Sequence, residues 1–228
     1  MIKFSETFYF RNYNIFKDTR TVLDAYLMFF YLKWNRKNIK NFLEIGVNQG
    51  AIPSLILDVN PNVNLTLIDI DLSELNNYII SKKNIVNKIE LIESNSQAVD
   101  WNKLSFFDLI SVDGDHTQPG PSIDIVNSIN KSNDNTVIWL DDYRWKGMED
   151  TRKILINKGW QSWIQADQGE WWTRHSHSLQ PFINFLLAST NILNFSRMWQ
   201  AQPNDSFKWS ISSPQCVYDN FRVVQKYD

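Results

Sequence analysis

Cysteine is nearly missing from this chain: Cys216 is the only one in 228 residues. That excludes an internal disulfide framework and a cysteine-rich zinc centre, and it fits a reducing, cytoplasmic setting. A large excess of charge of one sign is missing too. The formal net charge is −2, so the chain has no global basic field for nucleic acid or for an anionic membrane, and no Asn-Pro-Pro-Tyr-like base-flipping motif is present. Long hydrophobic runs are absent. The most apolar early segment, Ala25 to Leu32, is too short to span a bilayer, and the opening residues lack a compact apolar stretch of signal-peptide type. There is no internal repeat and no low-complexity linker, which leaves one α/β domain over residues 1–228 as the expectation.

What is there begins with aromatics, 14% of the chain with ten Trp. Trp160, Trp163, Trp171, Trp172, Trp199 and Trp209 fall late. They read as a Trp-rich core, with an aromatic pocket or a homo-oligomer contact as the other use. Strand and helix patterns alternate from about residue 41 to 159. Strands are expected at Asn41–Ile45, Asn64–Ile70, Lys88–Ile92, Asp108–Val112 and Thr136–Leu140. Helices are expected at Thr19–Lys37, Gly50–Asn60, Leu72–Lys82, Ser122–Asn130 and Glu149–Lys158, the last stopped by Gly159. Such alternation builds a parallel, doubly wound sheet. Trp160–Thr173 reads as a strand pair around Asp167-Gln168-Gly169, Leu179–Leu193 as a helix, and Asn220–Lys226 as a last strand. Residues 1–40 form an N-terminal helical segment, and 174–215 an insertion or lid before the last strand.

Phe42-Leu43-Glu44-Ile45-Gly46-Val47-Asn48-Gln49-Gly50 is a strand running into a loop that opens a helix. It is neither the Gly-x-Gly-x-x-Gly dinucleotide loop nor a P-loop. The pattern left is acidic-x-Gly-x-x-x-Gly, and the next strand, Leu65-Thr66-Leu67-Ile68-Asp69-Ile70-Asp71, also ends in carboxylates. An acidic group there can accept both ribose hydroxyl protons; Asp69 is favoured, while Asp71 suits a helix cap better. Glu93-Ser94-Asn95-Ser96 closes the third strand.

Most specific are two apolar runs that stop in carboxylates, Leu109-Ile110-Ser111-Val112-Asp113-Gly114-Asp115-His116 and Ile138-Trp139-Leu140-Asp141-Asp142-Tyr143. Neighbouring strands lie about 4.8 Å apart, so Asp113 and the Asp141-Asp142 pair can converge on one ion. Consecutive strand residues face opposite sides, so Asp141 and Asp142 share an ion only if the chain bends there. Oxygen ligands suit Mg²⁺, with Mn²⁺ or Ca²⁺ as alternatives, over Zn²⁺.

From residue 40 to 160 the chain resembles class I S-adenosylmethionine (SAM)-dependent methyltransferases. The carboxylate runs resemble those of metal-dependent O-methyltransferases acting on natural products and sugars, the macrolide and aminocoumarin sugar enzymes among them, and of the cephalosporin hydroxylase-like group. The resemblance implies a mostly parallel, Rossmann-like, seven-stranded sheet. It implies SAM contacts from Glu44, Gly46, Asn48, Gly50, Asp69, Asn95, Ser96 and Asp113. It further implies metal ligation by Asp113, Asp141 and Asp142, and proton removal from an acceptor hydroxyl by Asp115, with His116 as a second candidate base. The acceptor would be a small hydroxylated molecule. Asn48 and Asn95 depart from the family pattern, as does Lys131-Ser132-Asn133-Asp134-Asn135-Thr136, which lacks a Gly pair. Tyr143 and Trp145 are candidates for the acceptor pocket or the core. His175 and His177 read as exposed loop residues.

Overall fold

The computed structural model of the protein describes residues 22–75, 79–80, 89–165, 169–175, 182 and 222–223. Eight strands make one sheet: β1 (Asn41–Ile45), β2 (Asn64–Asp69), β3 (Ile89–Glu93), β4 (Phe107–Val112), β5 (Ser132–Leu140), β6 (Gln161–Gln165), β7 (Glu170–Thr173) and β8 (Arg222–Val223). Among the described residues the longer helices are α1 (Val22–Asn35), α2 (Ala51–Val59), α3 (Gly120–Asn130) and α4 (Met148–Asn157). The spatial order is β3-β2-β1-β4-β5-β7-β6-β8. The first five strands pair in parallel, and β7, β6 and β8 continue the sheet antiparallel. The five expected parallel strands and the expected strand pair are present, and β8 falls within the expected last strand, Asn220–Lys226, whose other residues lie outside the described ones.

Period-two alternation explains the layers. Phe42, Leu65, Leu67, Leu109, Val137 and Trp139 point to one face and pack with α1 and α2. Leu43, Ile45, Ile68, Ile110, Val112, Ile138 and Leu140 point to the other and pack with Ile125 and Ile129 of α3 and Leu155 of α4. Each such fully buried side chain stabilises the fold by roughly 1.5–3 kcal/mol. The antiparallel extension is locked by aromatics. Trp139 of β5 lies opposite Trp171 of β7, their rings stacked at 5.9 Å. At the β6–β7 turn a Cβ on Gly169 would stand 1.6 Å from Trp139 Nε1, so only glycine lets the hairpin close over that ring. The late tryptophans within the described residues thus serve mainly as core: Trp160, Trp171 and Trp172 are all fully buried.

Some boundaries move. β5 starts at Ser132, earlier than the expected Thr136, because the polar Asn133 side chain is held by the Phe107 carbonyl and the Asp108 carboxylate of β4. In the expected Leu72–Lys82 helix, Ile79 and Ile80 are helical, while Ser73 and Glu74 form a turn and the other positions from 76 on lie outside the described residues. The expected insertion, the Leu179–Leu193 helix, the start of the first helix and His177 also fall outside them, apart from Arg174, His175 and the buried Phe182, which is helical.

Sheet order reverses between β1 and β4. In open α/β sheets the crevice beyond such a reversal is where ligands bind, and the loops that leave β1, β2, β3 and β4 meet there.

Candidate active site

The floor of that crevice is the Gly46–Gly50 loop. Three of its residues take the left-handed conformation: Gly46 at φ 81°, Asn48 at φ 48° and Gly50 at φ 77°. A Cβ on Gly46 would lie 1.9 Å from the Asp113 carbonyl oxygen, so the β1 and β4 loops touch only because this residue has no side chain. Asn48 needs no glycine, since Asn enters the left-handed region more readily than other side chains do. The departure from a middle glycine is therefore conformationally neutral. Asp69, at the end of β2, holds the loop from beside it. Its Oδ2 accepts the Val47 and Asn48 N–H groups at 2.6 and 2.8 Å, and its Oδ1 accepts the Asp71 N–H at 3.1 Å. An ionised carboxylate offers about four acceptor positions, which leaves room for one hydroxyl. Asp71 instead caps a turn by accepting the Ser73 N–H at 2.8 Å.

The third wall is Ser94–Ser96. Asn95 accepts the Gln97 N–H at 2.9 Å and so caps a single 3₁₀ turn. Together Gly46, Asn48, Asp69, Ser94, Asn95, Ser96, Asp113, Gly114, Asp115 and His116 line a cleft of about 560 Å³, within the usual size for a small-molecule site. Glu44 is not among the lining residues. It is buried within β1, where Ser111 Oγ donates to its Oε1 at 3.3 Å. Gly50 sits behind the loop as the cap of α2.

At the cleft's rim the two strand ends converge. β5 ends at Leu140 and the chain bends at Asp142, which has φ 48°; this is the bend that brings its carboxylate round to Asp113. His116 Nε2 stands 3.6 Å from Asp113 Oδ1 and 3.4 Å from Asp142 Oδ2. One ligand atom from each of Asp113, His116 and Asp142 lies within 4.8 Å of the others. Asp141 is buried behind them, its N–H bonded to the Val112 carbonyl at 3.0 Å. The Asp113 contact raises the His116 pKa; partial burial opposes this, and the charges of Asp113, Asp142 and Asp141 add to the rise.

Asp115 lines the cleft, but its carboxylate is engaged by its own loop and the start of α3. Its Oδ1 accepts the Thr117 N–H at 2.7 Å, and its side chain lies against Gly120 at the start of α3, where a Cβ would come within 2.7 Å of Oδ2. Trp145 is exposed, its ring centroid 5.2 Å from that of His116, whereas Tyr143 packs in the core. Gln118 ties the two rim loops together: its Nε2 donates to the Gly147 carbonyl and, at 3.2 Å, to Thr151 Oγ1.

One residue beside the site escaped the sequence reading. Asp124 of α3 is 1% exposed, and its Oδ1 accepts the Ser96 hydroxyl at 2.6 Å. A signal for it exists in the spacing. Pro121, Asp124, Ile125, Ser128 and Ile129 are all buried, so the aspartate occupies a core position of the helical repeat, where an acid needs a reason.

Residues 43–143 match the model of a methyltransferase domain. Among curated proteins, none matches the sequence. Solved structures share the architecture at low identity. A Staphylococcus aureus protein assigned as a caffeoyl-CoA O-methyltransferase is 14% identical, with TM-score 0.58, over 74% of this chain and 91% of its own. The Bacillus cereus O-methyltransferase solved with S-adenosylhomocysteine (SAH) is 15% identical, with TM-score 0.56, over 73% of this chain and 88% of its own. A cofactor-bound MTB protein, Rv0187, is 14% identical, with TM-score 0.58, over 74% of this chain and 89% of its own. The methyltransferase-domain match over residues 43–143 and the 3-2-1-4-5-7-6 sheet order together give this chain the fold of the solved O-methyltransferases it is similar to.

Proposed function

We propose that the protein transfers the SAM methyl group to a hydroxyl of a small acceptor, such as a sugar or another natural product, with a divalent cation held at the rim by Asp113 and Asp142. The observation that carries this is the meeting of Asp113, His116 and Asp142 at the open end of the cleft. A methyl donor held by Gly46, Asp69 and Ser94–Ser96 would share its cleft with Asp113 and His116 of that rim.

The donor set fits a cation. Two carboxylates so close to each other and to a buried Asp141 repel unless positive charge lies among them, and oxygen ligands favour Mg²⁺, with Mn²⁺ or Ca²⁺ as alternatives. A cation bound there supplies orientation and a lower pKa to an acceptor hydroxyl. The chain supplies the rest. Gly46 and Asn48 shape the donor's seat, and Asp69 has an acceptor position left for a ribose hydroxyl. His116 takes the hydroxyl proton on Nε2 as the acceptor oxygen bonds to the methyl carbon, the carbon–sulfur bond breaks and SAH leaves. We assign the base to His116 in preference to Asp115, whose Oδ1 is already engaged by Thr117. The exposed Trp145 ring beside His116 offers an apolar face to a ring-shaped acceptor.

Methyl transfer to a panel of hydroxylated acceptors, read as SAH formation, tests the assignment. Activity should fall at least about 100-fold in His116→Asn and disappear with a chelator, while SAH affinity stays unchanged in His116→Asn. Turnover that survives the chelator removes the cation from the proposal. If His116→Asn loses cation affinity together with activity, His116 is a ligand and not the base.

A further inference from the structure

Asp124 is a buried acid on α3 that the proposed chemistry does not use. Oδ1 accepts Ser96 Oγ at 2.6 Å. Oδ2 is buried with no hydrogen-bond partner, and it lies under Gly114, where an added Cβ would stand 3.0 Å away. Ser96 and Gly114 belong to opposite walls of the cleft: Ser96 follows β3, and Gly114 follows β4 between Asp113 and Asp115. Ser96 is held at its other side as well, since Trp101 Nε1 donates to its carbonyl at 2.9 Å. Asp124 therefore stands on α3 between two walls that share no strand pairing, β3 and β4 being separated in the sheet by β2 and β1. A carboxylate is a poor choice for stability at such a place. An apolar side chain would fill it without leaving an oxygen unpaired.

We propose that Asp124 is a positioning residue for methyl-donor binding, which holds Ser96 on one wall of the cleft at a set distance from Gly114 on the other. It touches neither donor nor acceptor and acts through Ser96 and the Gly114 backbone. The inference rests on the cleft being the SAM site. It separates two parts of that site: the nucleotide-sized cleft, whose walls Asp124 braces, and the Asp113–His116–Asp142 rim, which it does not contact.

The test measures SAH affinity and Mn²⁺ affinity by calorimetry on the whole chain. Asp124→Ala and Ser96→Ala should each weaken SAH about tenfold, the loss that matches one charge-assisted hydrogen bond, with Mn²⁺ affinity unchanged. Asp124→Asn keeps an oxygen for the Ser96 hydroxyl and should lose less than about threefold. The double variant Asp124→Ala/Ser96→Ala should be no weaker than either single one, because both remove the same link. If Asp124→Ala does not fold, Ser96→Ala and Asp124→Asn still decide the matter. Unchanged SAH affinity in Ser96→Ala, additive losses in the double variant, or an equal loss of SAH and Mn²⁺ affinity each overturn the positioning role. A wild-type chain that fails to bind SAH overturns the SAM site and this role together. A wild-type chain that binds SAH while the variants match it overturns only the role of Asp124.

Discussion

Burial pushes the Asp124 carboxyl from its ordinary 3.8 up to about 6; the Ser96 hydroxyl pulls it down and the Asp115 charge pushes it further up. The folded protein thus keeps this proton to higher pH than the unfolded chain does. The stability so gained is fully present below about pH 4 and is lost as the pH rises through about 6. Two pKa units correspond to about 3 kcal/mol, of which about 2 kcal/mol is lost between pH 4.5 and 7.5. Asp124→Asn cannot titrate. Relative to wild type it should gain about 2 kcal/mol over that window, measured by urea unfolding at both pH values. Any fixed effect of the new amide shifts both values equally and leaves the change with pH intact. A gap that does not widen with pH would refute the buried-acid assignment. At this scale the sequence was partly readable. Gly46 and Gly50 announced a tight loop after β1, and the strand-end aspartates announced the rim. Which of Asp115 and His116 turns inward was not readable, because both follow β4 in a loop, where no period fixes direction. Asp124 was hidden because a carboxylate on a short helix reads first as a solvated charge.

A second buried acid shows how whole elements are fixed. Glu170 of β7 is fully buried and accepts four bonds: Arg152 Nε at 2.8 Å and Nη2 at 3.0 Å, Ser162 Oγ at 2.6 Å and Gln165 Nε2 at 2.6 Å. The guanidinium of Arg152 on α4 also lies 5.7 Å from the Tyr143 ring and 6.0 Å from that of Trp172. One arginine therefore joins α4, the β6–β7 hairpin and the residue just after Asp142. Removing it leaves the Glu170 side chain in the core without its guanidinium partner. Arg152→Ala should cost about 3 kcal/mol, at the low end for a broken buried pair because the arginine itself is partly exposed. Urea unfolding would show this, and a loss below about 1 kcal/mol would mean that the Ser162 and Gln165 bonds suffice to hold Glu170. Arg152→Lys should recover only part of the loss, since an ammonium cannot make the two-pronged contact. The elements themselves were legible where a period ran long enough. β1, β2, β4 and α4 fall within a residue or two of their expected limits. The antiparallel β6–β7 pair was legible from its turn residues. The Arg152–Glu170 tie was not, because it joins a helix to a strand pair and no local pattern marks a tertiary partner.

The whole molecule is organised as a cleft whose walls come from separate strands, and this predicts how it responds to its ligand. The β1 loop is held by Asp69 of β2, the β3 loop by Asp124 of α3, and the β4 and β5 loops by Gln118 between them. Any molecule that bridges these walls binds the folded chain and not the unfolded one. At a concentration 100 times its dissociation constant it stabilises the fold by about 2.7 kcal/mol. For a chain of this size each kcal/mol moves the melting temperature by about 2–4 °C, so saturating SAH should raise it by roughly 5–10 °C. The rim makes a separate contribution. A cation held by Asp113 and Asp142 binds the folded chain alone, so Mg²⁺ or Mn²⁺ should add a further rise in the presence of SAH. Asp142→Asn should retain the SAH-dependent rise and lose the one that depends on the cation. That pattern needs both sites to exist and to be distinct. A cation-dependent rise that persists in Asp142→Asn would place the ion elsewhere on the molecule, and the absence of any SAH-dependent rise would remove the donor site itself.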